Sequence, residues 1–418
     1  MGDLDPVRSL FRHAADTPNA PAVITPGESV DYAALAGRVE AMMRRWRRLG
    51  AGAGTVVSLD LSSDVEGIST LLGLHALDAV VRPVAEPAEP AVSDTAERAM
   101  VHVATSGSSG STRLVRLSAQ NVAAAIRSSQ ERLGNSADDS WLLCLPLHHV
   151  AGLSVVWRTM AAGGAVVALP RFEAGLAASA LSERAIVASF VPTMLRRVLE
   201  KGHRFDSVRW VLVGGAATGS GLIGRGADAG LQVLASYGMS ETASQVATVA
   251  PGEVRASIGT VGRPLAGMAV ELADDGEILV DGHAVFVGYV GEEDRSGPHH
   301  TGDLGSIDGE GKLIVHGRRD DAITSGGETV HPATVEAALE EHPAVEAAVV
   351  FGVADDDWGE RVVAVVQATE IGGPQLSEWL RGRVARHETP KAIQVVDDLP
   401  RLSSGKVDRS AVHEARAM

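Results

Sequence analysis

The chain has 418 residues, of which 45% are hydrophobic and 22% are charged, so it can bury large cores and is not a disordered protein. A formal net charge of −16 disfavours nucleic acid as a partner. The single cysteine, Cys144, excludes an intramolecular disulfide and a thiolate metal cluster, and its apolar neighbours predict a buried side chain. No window approaches about 18 apolar residues and residues 1–23 lack a long apolar core, so we expect a cytoplasmic protein with no signal peptide or membrane span.

The first 250 residues or so alternate between strand and helix patterns, which is typical of an α/β domain with a largely parallel sheet. A helix predicted over residues 32–49 carries five arginines on a solvated face. Residues 86–97, rich in proline, alanine and acidic side chains, predict a loop. The other predicted helices are 67–79, 118–133 and 153–162, and the predicted strands are 56–61, 80–84, 140–145, 165–169, 185–190, 210–213 and 232–236.

The pattern changes in the second part of the chain. Residues 259–314 are dense in glycine with short alternating strands, which indicates a β-rich subdomain. A helix over 334–341, strands over 344–353 and 362–367, and a helix over 376–386 then predict a compact α+β unit. We therefore expect a large N-terminal α/β domain with a β-rich subdomain over residues 1–319, and a small α+β C-terminal domain over residues 320–418.

The segment ATSGSSGSTRLV, residues 104–115, predicts a small-residue loop with the chemistry of phosphate binding. Glycines let backbone N–H groups approach an anion closely, hydroxyls add donors, and Arg113 adds a positive charge. The segment is not a P-loop, because Gly110 is followed by Ser111, Thr112 and Arg113 instead of Lys-Ser/Thr. It is therefore either a flexible connection or the phosphate loop of another enzyme class.

Five more segments follow in order: LPLHHVAG at 145–152, VGGA at 213–216, SYGMSET at 236–242, TGD at 301–303 with GRRDD at 317–321, and LSSGKVDR at 402–409. Alone, each has an ordinary explanation, such as a turn aspartate or a solvated lysine. Together they resemble the adenylate-forming superfamily of acyl-CoA synthetases, nonribosomal adenylation domains and firefly luciferase. The resemblance covers about residues 32–409 and implies that the C-terminal domain is mobile.

In this superfamily a carboxylate attacks the α-phosphate of ATP and expels pyrophosphate. The resemblance implies that Tyr237 packs on adenine, that Asp303 accepts the ribose hydroxyls with help from Arg318, and that Glu241 coordinates Mg²⁺. Arg113 and Leu114 depart from the family's Pro-Lys-Gly. The implied ATP-binding set is Thr105, Ser106, Gly107, Ser108, Ser109, Arg113, Gly214, Gly215, Ala216, Tyr237, Gly238, Met239, Ser240, Asp303 and Arg318.

The remaining implied roles concern catalysis, domain motion and the acceptor thiol. Lys406 bridges the attacking carboxylate and the phosphate, and Asp320 is the hinge. His149 closes or orients the acyl pocket, unless it is simply a satisfied interior histidine. After the swivel, a channel for CoA or a carrier arm is lined by Ser325, Gly326, Gly327 and Glu328.

Residues 141–154 and 235–246 resemble most closely the o-succinylbenzoate–CoA ligase subfamily of menaquinone biosynthesis, whose substrate is an aromatic dicarboxylate. Arg158 is either the partner of the second carboxylate or a helix-surface residue, which is the expected place for it. The implied acyl pocket contains His149, Thr193, Gly215, Ser240 and Ser244.

Other functions stay open at this point: another aryl- or acyl-CoA ligase, a carrier-loading adenylation enzyme, or a nucleotide-binding protein without catalysis. Because related ligases often dimerise, a homodimer is one option.

Overall fold

A computed structural model describes residues 4–85, 89–94, 99–106, 112–401 and 407–415. Its helices are α1 (Pro6–Asp16), α2 (Tyr32–Arg48), α3 (Val65–His75), α4 (Ala119–Leu133), α5 (Val150–Ala162), α6 (Ala174–Glu183), α7 (Pro192–Leu199), α8 (Ser220–Asp228), α9 (Pro332–Glu340), α10 (Gly373–Leu380) and α11 (Arg409–Glu414). In the described ranges, no helix combines the length and apolarity needed to cross a bilayer.

The strands belong to four sheets. They are β1 (Pro21–Ile24), β2 (Ser29–Asp31), β3 (Thr55–Leu59), β4 (Val80–Pro83), β5 (Ala91–Asp94), β6 (Val101–Ser106), β7 (Thr112–Leu117), β8 (Ser140–Leu143), β9 (Ala165–Ala168), β10 (Val187–Phe190), β11 (Trp210–Val213), β12 (Val233–Tyr237), β13 (Ala247–Thr248), β14 (Arg263–Pro264), β15 (Met268–Leu272), β16 (Glu277–Gly282), β17 (Gly288–Tyr289), β18 (His299–Ile307), β19 (Leu313–Arg318), β20 (Ile323–Ser325), β21 (Glu328–Val330), β22 (Val345–Asp355), β23 (Gly359–Ala368) and β24 (Ala392–Val396).

The largest sheet has the order β14-β13-β12-β11-β10-β8-β9-β1-β2, and its strands from β12 to β1 are parallel. Strands β8 to β11 are apolar and buried along their whole length, as expected where helices cover both faces of a parallel sheet. Trp141 and Leu143 pack with α5 on one face, whereas Leu142 packs with α6 and α7 on the other. The predicted α/β class is confirmed, and Cys144 is buried as predicted.

A second sheet, ordered β17-β7-β6-β4-β3-β5, corrects two sequence predictions. Residues 104–115 were expected to form a loop, but Thr105 and Ser106 end β6 and Arg113 lies in β7, its hairpin partner. Along β7, Val115 and Leu117 are buried whereas Leu114 and Arg116 are half-buried, which is the period-two pattern of a strand. Residues 107–111 lie outside the described ranges. Within the predicted loop 86–97, Ala91–Asp94 forms β5, because it pairs antiparallel with β3.

The β-rich region forms the antiparallel sheet β15-β16-β18-β19, as predicted. The last sheet contains β20 to β24, and its hydrophobic core is built from side chains such as Val335, Leu339, Val366 and Leu376. The helix expected over 376–386 ends at Leu380, and Gly382 soon after it has a φ of 78°, a left-handed conformation. The boundary between residues 319 and 320 stays a prediction.

A buried ion pair connects α7 to the C-terminal unit. The Arg196 side chain is 5% exposed and donates to Glu340 Oε2 at 3.0 Å, to the Val345 carbonyl at 3.1 Å, and to the Glu346 carbonyl. Burial raises the pKa of Glu340, opposed mainly by the charge of Arg196. Such a pair is costly to break from one side, because the other charge stays desolvated.

We predict that Arg196→Met lowers the free energy of unfolding by about 3 kcal/mol. Arg197→Met is the matched control, since its pair with Glu346 has side chains that are 45% and 35% exposed and is expected to contribute less than about 1 kcal/mol. Urea unfolding of both variants measures the difference. Equal losses in the two variants contradict the structural role assigned to Arg196.

Candidate active site

The candidate site lies where four neighbouring parallel strands end. The order β12-β11-β10-β8 places the segments after these strands side by side at one edge of the sheet. Each segment carries predicted site residues: His149 after β8, Thr193 after β10, Gly214 to Ala216 after β11, and Tyr237 to Ser244 at the end of β12. Ligands bind at this edge in open parallel α/β sheets.

The turn after β12 is tightly constrained. A Cβ added to Gly238 would overlap the carbonyl group of Ser244, so only glycine fits there. The Thr242 hydroxyl accepts from the Met239 N–H at 3.1 Å, which stabilises the short 3-10 helix Ser240–Thr242. The strained positive φ of 109° at Ser244 is the kind of backbone outlier that clusters at functional sites.

Asp303 is held from two sides on the β-rich sheet. It lies opposite Arg318 in the β18–β19 pairing, and the Arg318 guanidinium donates to its Oδ1 at 3.3 Å. The Tyr237 hydroxyl donates to its other oxygen at 2.7 Å. Burial raises the pKa of the Asp303 carboxyl, although both donors oppose this effect. The structure therefore brings together Tyr237, Asp303 and Arg318.

Arg113, the cation predicted to hold phosphate, has two partners. Its guanidinium donates to both oxygens of Glu292 at 2.8 and 2.9 Å and lies 3.3 Å from the centre of the Tyr289 ring. The side chains of Arg113 and Glu292 are 42% and 55% exposed, so this pair contributes at most about 1 kcal/mol. A triphosphate can therefore displace Glu292 from the guanidinium.

Tyr289 also contacts the predicted magnesium ligand, because its hydroxyl donates to Glu241 Oε1 at 2.9 Å. In the part of the chain that the structure describes, no group of three or more His, Cys, Asp and Glu side chains is arranged to hold a metal. One carboxylate completed by nucleotide phosphates suits Mg²⁺, which prefers oxygen ligands and keeps several waters. Glu241 thus fits a metal that arrives with ATP. Sequence reasoning missed Tyr289 and Glu292.

The acyl side of the site contains His149 at the N-terminus of α5. The His148 and His149 rings are 4.3 Å apart, and burial lowers the pKa of His148. A Cβ on Gly152 would overlap the Pro146 carbonyl, so the turn from β8 closes tightly on α5. Thr193, Ser240 and Ser244 are half-buried along the same edge, and Gly215 is exposed.

Arg158 corrects the expectation of a helix-surface residue. It is 4% exposed and its guanidinium lies 5.9 Å from the centre of the Trp141 ring. Its Nη2 has no hydrogen-bond partner among the described residues. Burial lowers the pKa of Arg158 to about 9. An arginine buried in this way is rare unless it is paired, so Arg158 requires an explanation.

The other predicted residues lie apart from this edge or outside the described ranges. Ser325 and Glu328 flank the turn of hairpin β20–β21, where the Gly326 N–H donates to the Trp358 carbonyl at 2.8 Å, and Gly327 has a φ of 84°. Asp320 is exposed between β19 and β20. Gly107, Ser108, Ser109 and Lys406 are not among the described residues, and all these roles stay predictions.

A sheet edge that carries the predicted nucleotide-binding residues, followed by a small α+β unit, is consistent with an AMP-binding enzyme. The family model for AMP-binding enzymes matches residues 85–290, and that for the AMP-binding enzyme C-terminal domain matches residues 334–406. The 2-succinylbenzoate–CoA ligase of Bacillus mycoides (strain KBAB4) is 35% identical over 333 residues, which cover 75% of this chain and 69% of that protein. The chain therefore belongs to the AMP-binding enzyme family.

Two solved structures extend the comparison. The o-succinylbenzoate CoA synthetase (MenE) of Bacillus subtilis with the acyl-adenylate OSB-AMP is 28% identical, with a TM-score of 0.85 and 98% of each chain covered. The same enzyme has been solved with ATP and a magnesium ion, at 27% identity and a TM-score of 0.85, covering 97% of this chain and 99% of that one.

We predict that Asp303→Asn weakens ATP binding about 10- to 100-fold, because two ribose hydroxyls lose a charged acceptor. The pKa of Asp303 is raised in the folded protein, so its contribution to stability falls as the pH rises above the ordinary value of 3.8. The variant should therefore gain stability relative to wild type as the pH rises above 3.8. Calorimetry and urea unfolding measure the two effects.

Asp308→Asn is the control for this prediction, since it changes the same residue type in the turn between β18, which contains Asp303, and β19. Backbone hydrogen bonds from Lys312 and Glu310 lower the pKa of Asp308, so the stability it contributes is present at neutral pH and is lost as the pH falls. This variant should lose stability relative to wild type as the pH rises and should keep normal ATP affinity. If both variants show the same pH trend, the raised pKa of Asp303 is contradicted.

Proposed function

We propose that this chain is an ATP-dependent ligase that converts 2-succinylbenzoate to its CoA thioester through an acyl-adenylate. The proposal rests on one observation above all: four neighbouring strands bring the predicted nucleotide and acyl residues to the same sheet edge. In this proposal the enzyme uses Mg²⁺ together with ATP and acts in the cytoplasm, and it can form a homodimer. The similarity to 2-succinylbenzoate–CoA ligases supports this choice of acid.

In the first half-reaction a carboxylate oxygen of the acid forms a bond to the α-phosphorus of ATP, and pyrophosphate leaves. Two anions must meet, so the site has to supply positive charge. Arg113 leaves Glu292 and binds the phosphates, while Asp303 orients the ribose. Lys406 bridges the carboxylate and the α-phosphate. Glu241 would hold Mg²⁺, which would supply positive charge to neutralise the phosphates.

In the second half-reaction the thiol of CoA attacks the acyl carbonyl, loses its proton, and releases AMP. The C-terminal unit, residues 320–418, turns about Asp320 for this step. Ser325, Gly326, Gly327 and Glu328 then line the channel for the thiol. His149 closes the acyl pocket beside the reacting carbonyl.

The proposal assigns the second carboxylate of the acid to Arg158, which lies in α5, the helix that begins after His149. Only one carboxylate is activated, so the other stays charged and has to be paired inside the protein. The buried guanidinium of Arg158, beside the apolar face of Trp141, is a partner of the required charge. Leaving a buried cation unpaired costs free energy that a bound carboxylate offsets.

We predict that Arg158→Gln lowers kcat/KM for 2-succinylbenzoate about 100-fold, because a buried charge pair is lost. The rate with 4-oxo-4-phenylbutanoate, which lacks the ring carboxylate, should change little. Arg197→Gln, on the exposed face of α7, is the matched control and should leave both rates unchanged. Equal losses with the two acids would mean that Arg158 has only a structural role.

We predict that Lys406→Ala lowers pyrophosphate release at least about 100-fold, because one preorganised donor to the developing charge is removed. The variant should still form thioester from a preformed acyl-adenylate, since the lysine acts only in the first half-reaction. Lys201→Ala, an exposed lysine of the large domain, is the control.

The acid panel for this experiment contains 2-succinylbenzoate, benzoate, a medium-chain fatty acid and amino acids, each with and without CoA. Turnover of another acid overturns the substrate assignment. Turnover that needs a carrier arm in place of CoA identifies a carrier-loading enzyme. ATP binding with no turnover of any acid identifies a binding protein.

A further inference from the structure

Tyr289 contacts two residues of the predicted ATP site that are far apart in sequence. Strand β17 pairs antiparallel with β7, and Tyr289 lies opposite Val115. Residues two apart on a strand share a face, so Arg113 projects on the same side as Val115 and Tyr289. The Arg113 guanidinium consequently lies over the Tyr289 ring, 3.3 Å from its centre.

The other end of the same side chain reaches Glu241. The Tyr289 hydroxyl donates to Glu241 Oε1 at 2.9 Å, and the Phe286 N–H donates to the Glu241 backbone carbonyl at 2.7 Å. The segment from Phe286 to Tyr289 therefore holds Glu241 by both its backbone and its carboxylate. Tyr289 is half-buried, so its ring has a fixed place between the two charged groups.

We propose that Tyr289 is a positioning residue that couples phosphate binding by Arg113 to magnesium binding by Glu241. Its hydroxyl fixes the rotation of the Glu241 carboxylate and engages only Oε1, so that the second oxygen would be available to Mg²⁺. Its ring sets the plane of the Arg113 guanidinium, which a lysine ammonium cannot match because it is not planar. This inference rests on the proposed function only in requiring that the site binds Mg²⁺ and ATP.

The test separates the two contacts of Tyr289. Tyr289→Phe keeps the ring under Arg113 and removes the hydrogen bond to Glu241, whereas Tyr289→Leu removes both. Tyr32→Phe is the matched control, because its hydroxyl donates to the Gly164 carbonyl in the core, at 2.8 Å. ATP affinity of the full-length chain is measured by calorimetry without any acid, once with EDTA and once across a series of Mg²⁺ concentrations.

We expect Tyr289→Phe to bind ATP normally in EDTA but to need about tenfold more Mg²⁺ for the same gain in affinity, as for other residues that orient metal ligands. Tyr289→Leu should also weaken ATP binding in EDTA, by about tenfold, because the cation–π contact is lost. The Mg²⁺ dependence of Tyr32→Phe should equal that of wild type.

Two results would overturn the inference: a Tyr289→Phe variant with wild-type Mg²⁺ dependence, or one that weakens ATP binding equally with and without Mg²⁺. The second result would reflect a general structural defect. Both leave the proposed function intact, because wild type still binds ATP. Absence of ATP binding by wild type overturns the proposed function and the inference together, whereas absence of acid turnover with normal Tyr289 effects overturns only the proposed function.

Discussion

The parallel pairing of β12, β11, β10 and β8 is the constraint on which the rest of the structure depends. Parallel strands end at the same edge, so the loops that follow them share one small region regardless of their distance in sequence. This arrangement is possible because the strands are apolar on both faces and helices cover each side. The core therefore positions the site. The loops of the site need only local constraints, such as the requirement for glycine at position 238.

Charge is the second constraint, because adenylation brings two anions together. In the proposed site, Arg113 has a partner that can be exchanged. Arg113 is paired with the exposed Glu292, and such a pair contributes little free energy in water. Arg158 is the opposite case, since a cation buried beside Trp141 gains most from a ligand that brings a negative charge. The described part of the chain thus contains a replaceable surface ion pair and, separately, a desolvated cation.

Much of the fold could be predicted from the sequence, because continuous apolar runs such as residues 210–213 identify buried strands directly. The β6–β7 hairpin, which contains Thr105 and Arg113, could not be predicted. Its small polar residues favour a loop, and only pairing with neighbouring strands makes it part of a sheet. Strand β5 was missed for the same reason. Motif order predicted Tyr237, Glu241, Asp303 and Arg318 as site residues, and the structure pairs Tyr237 and Arg318 directly with Asp303.

Contacts between distant segments could not be predicted. Tyr289 and Glu241 are 48 residues apart, and nothing in a short Gly-Tyr pair indicates that its hydroxyl meets a carboxylate. The burial of Arg158 was missed because periodicity assigns a residue to a helix face but does not reveal what packs against that face. In both cases the missing information was tertiary packing.

The proposed movement of the C-terminal unit has to be reconciled with the contact between Arg196 and Glu340. A rotation about Asp320 that carries Glu340 away from α7 separates a buried ion pair. A substitution that removes only one partner leaves the other charge desolvated. Rotation exposes both groups to water together, however, so each regains hydration and the net cost is far smaller than that of removing one partner. The pair therefore opposes substitution much more strongly than it opposes motion. A contact with this property can fix one orientation precisely and still allow the unit to leave it.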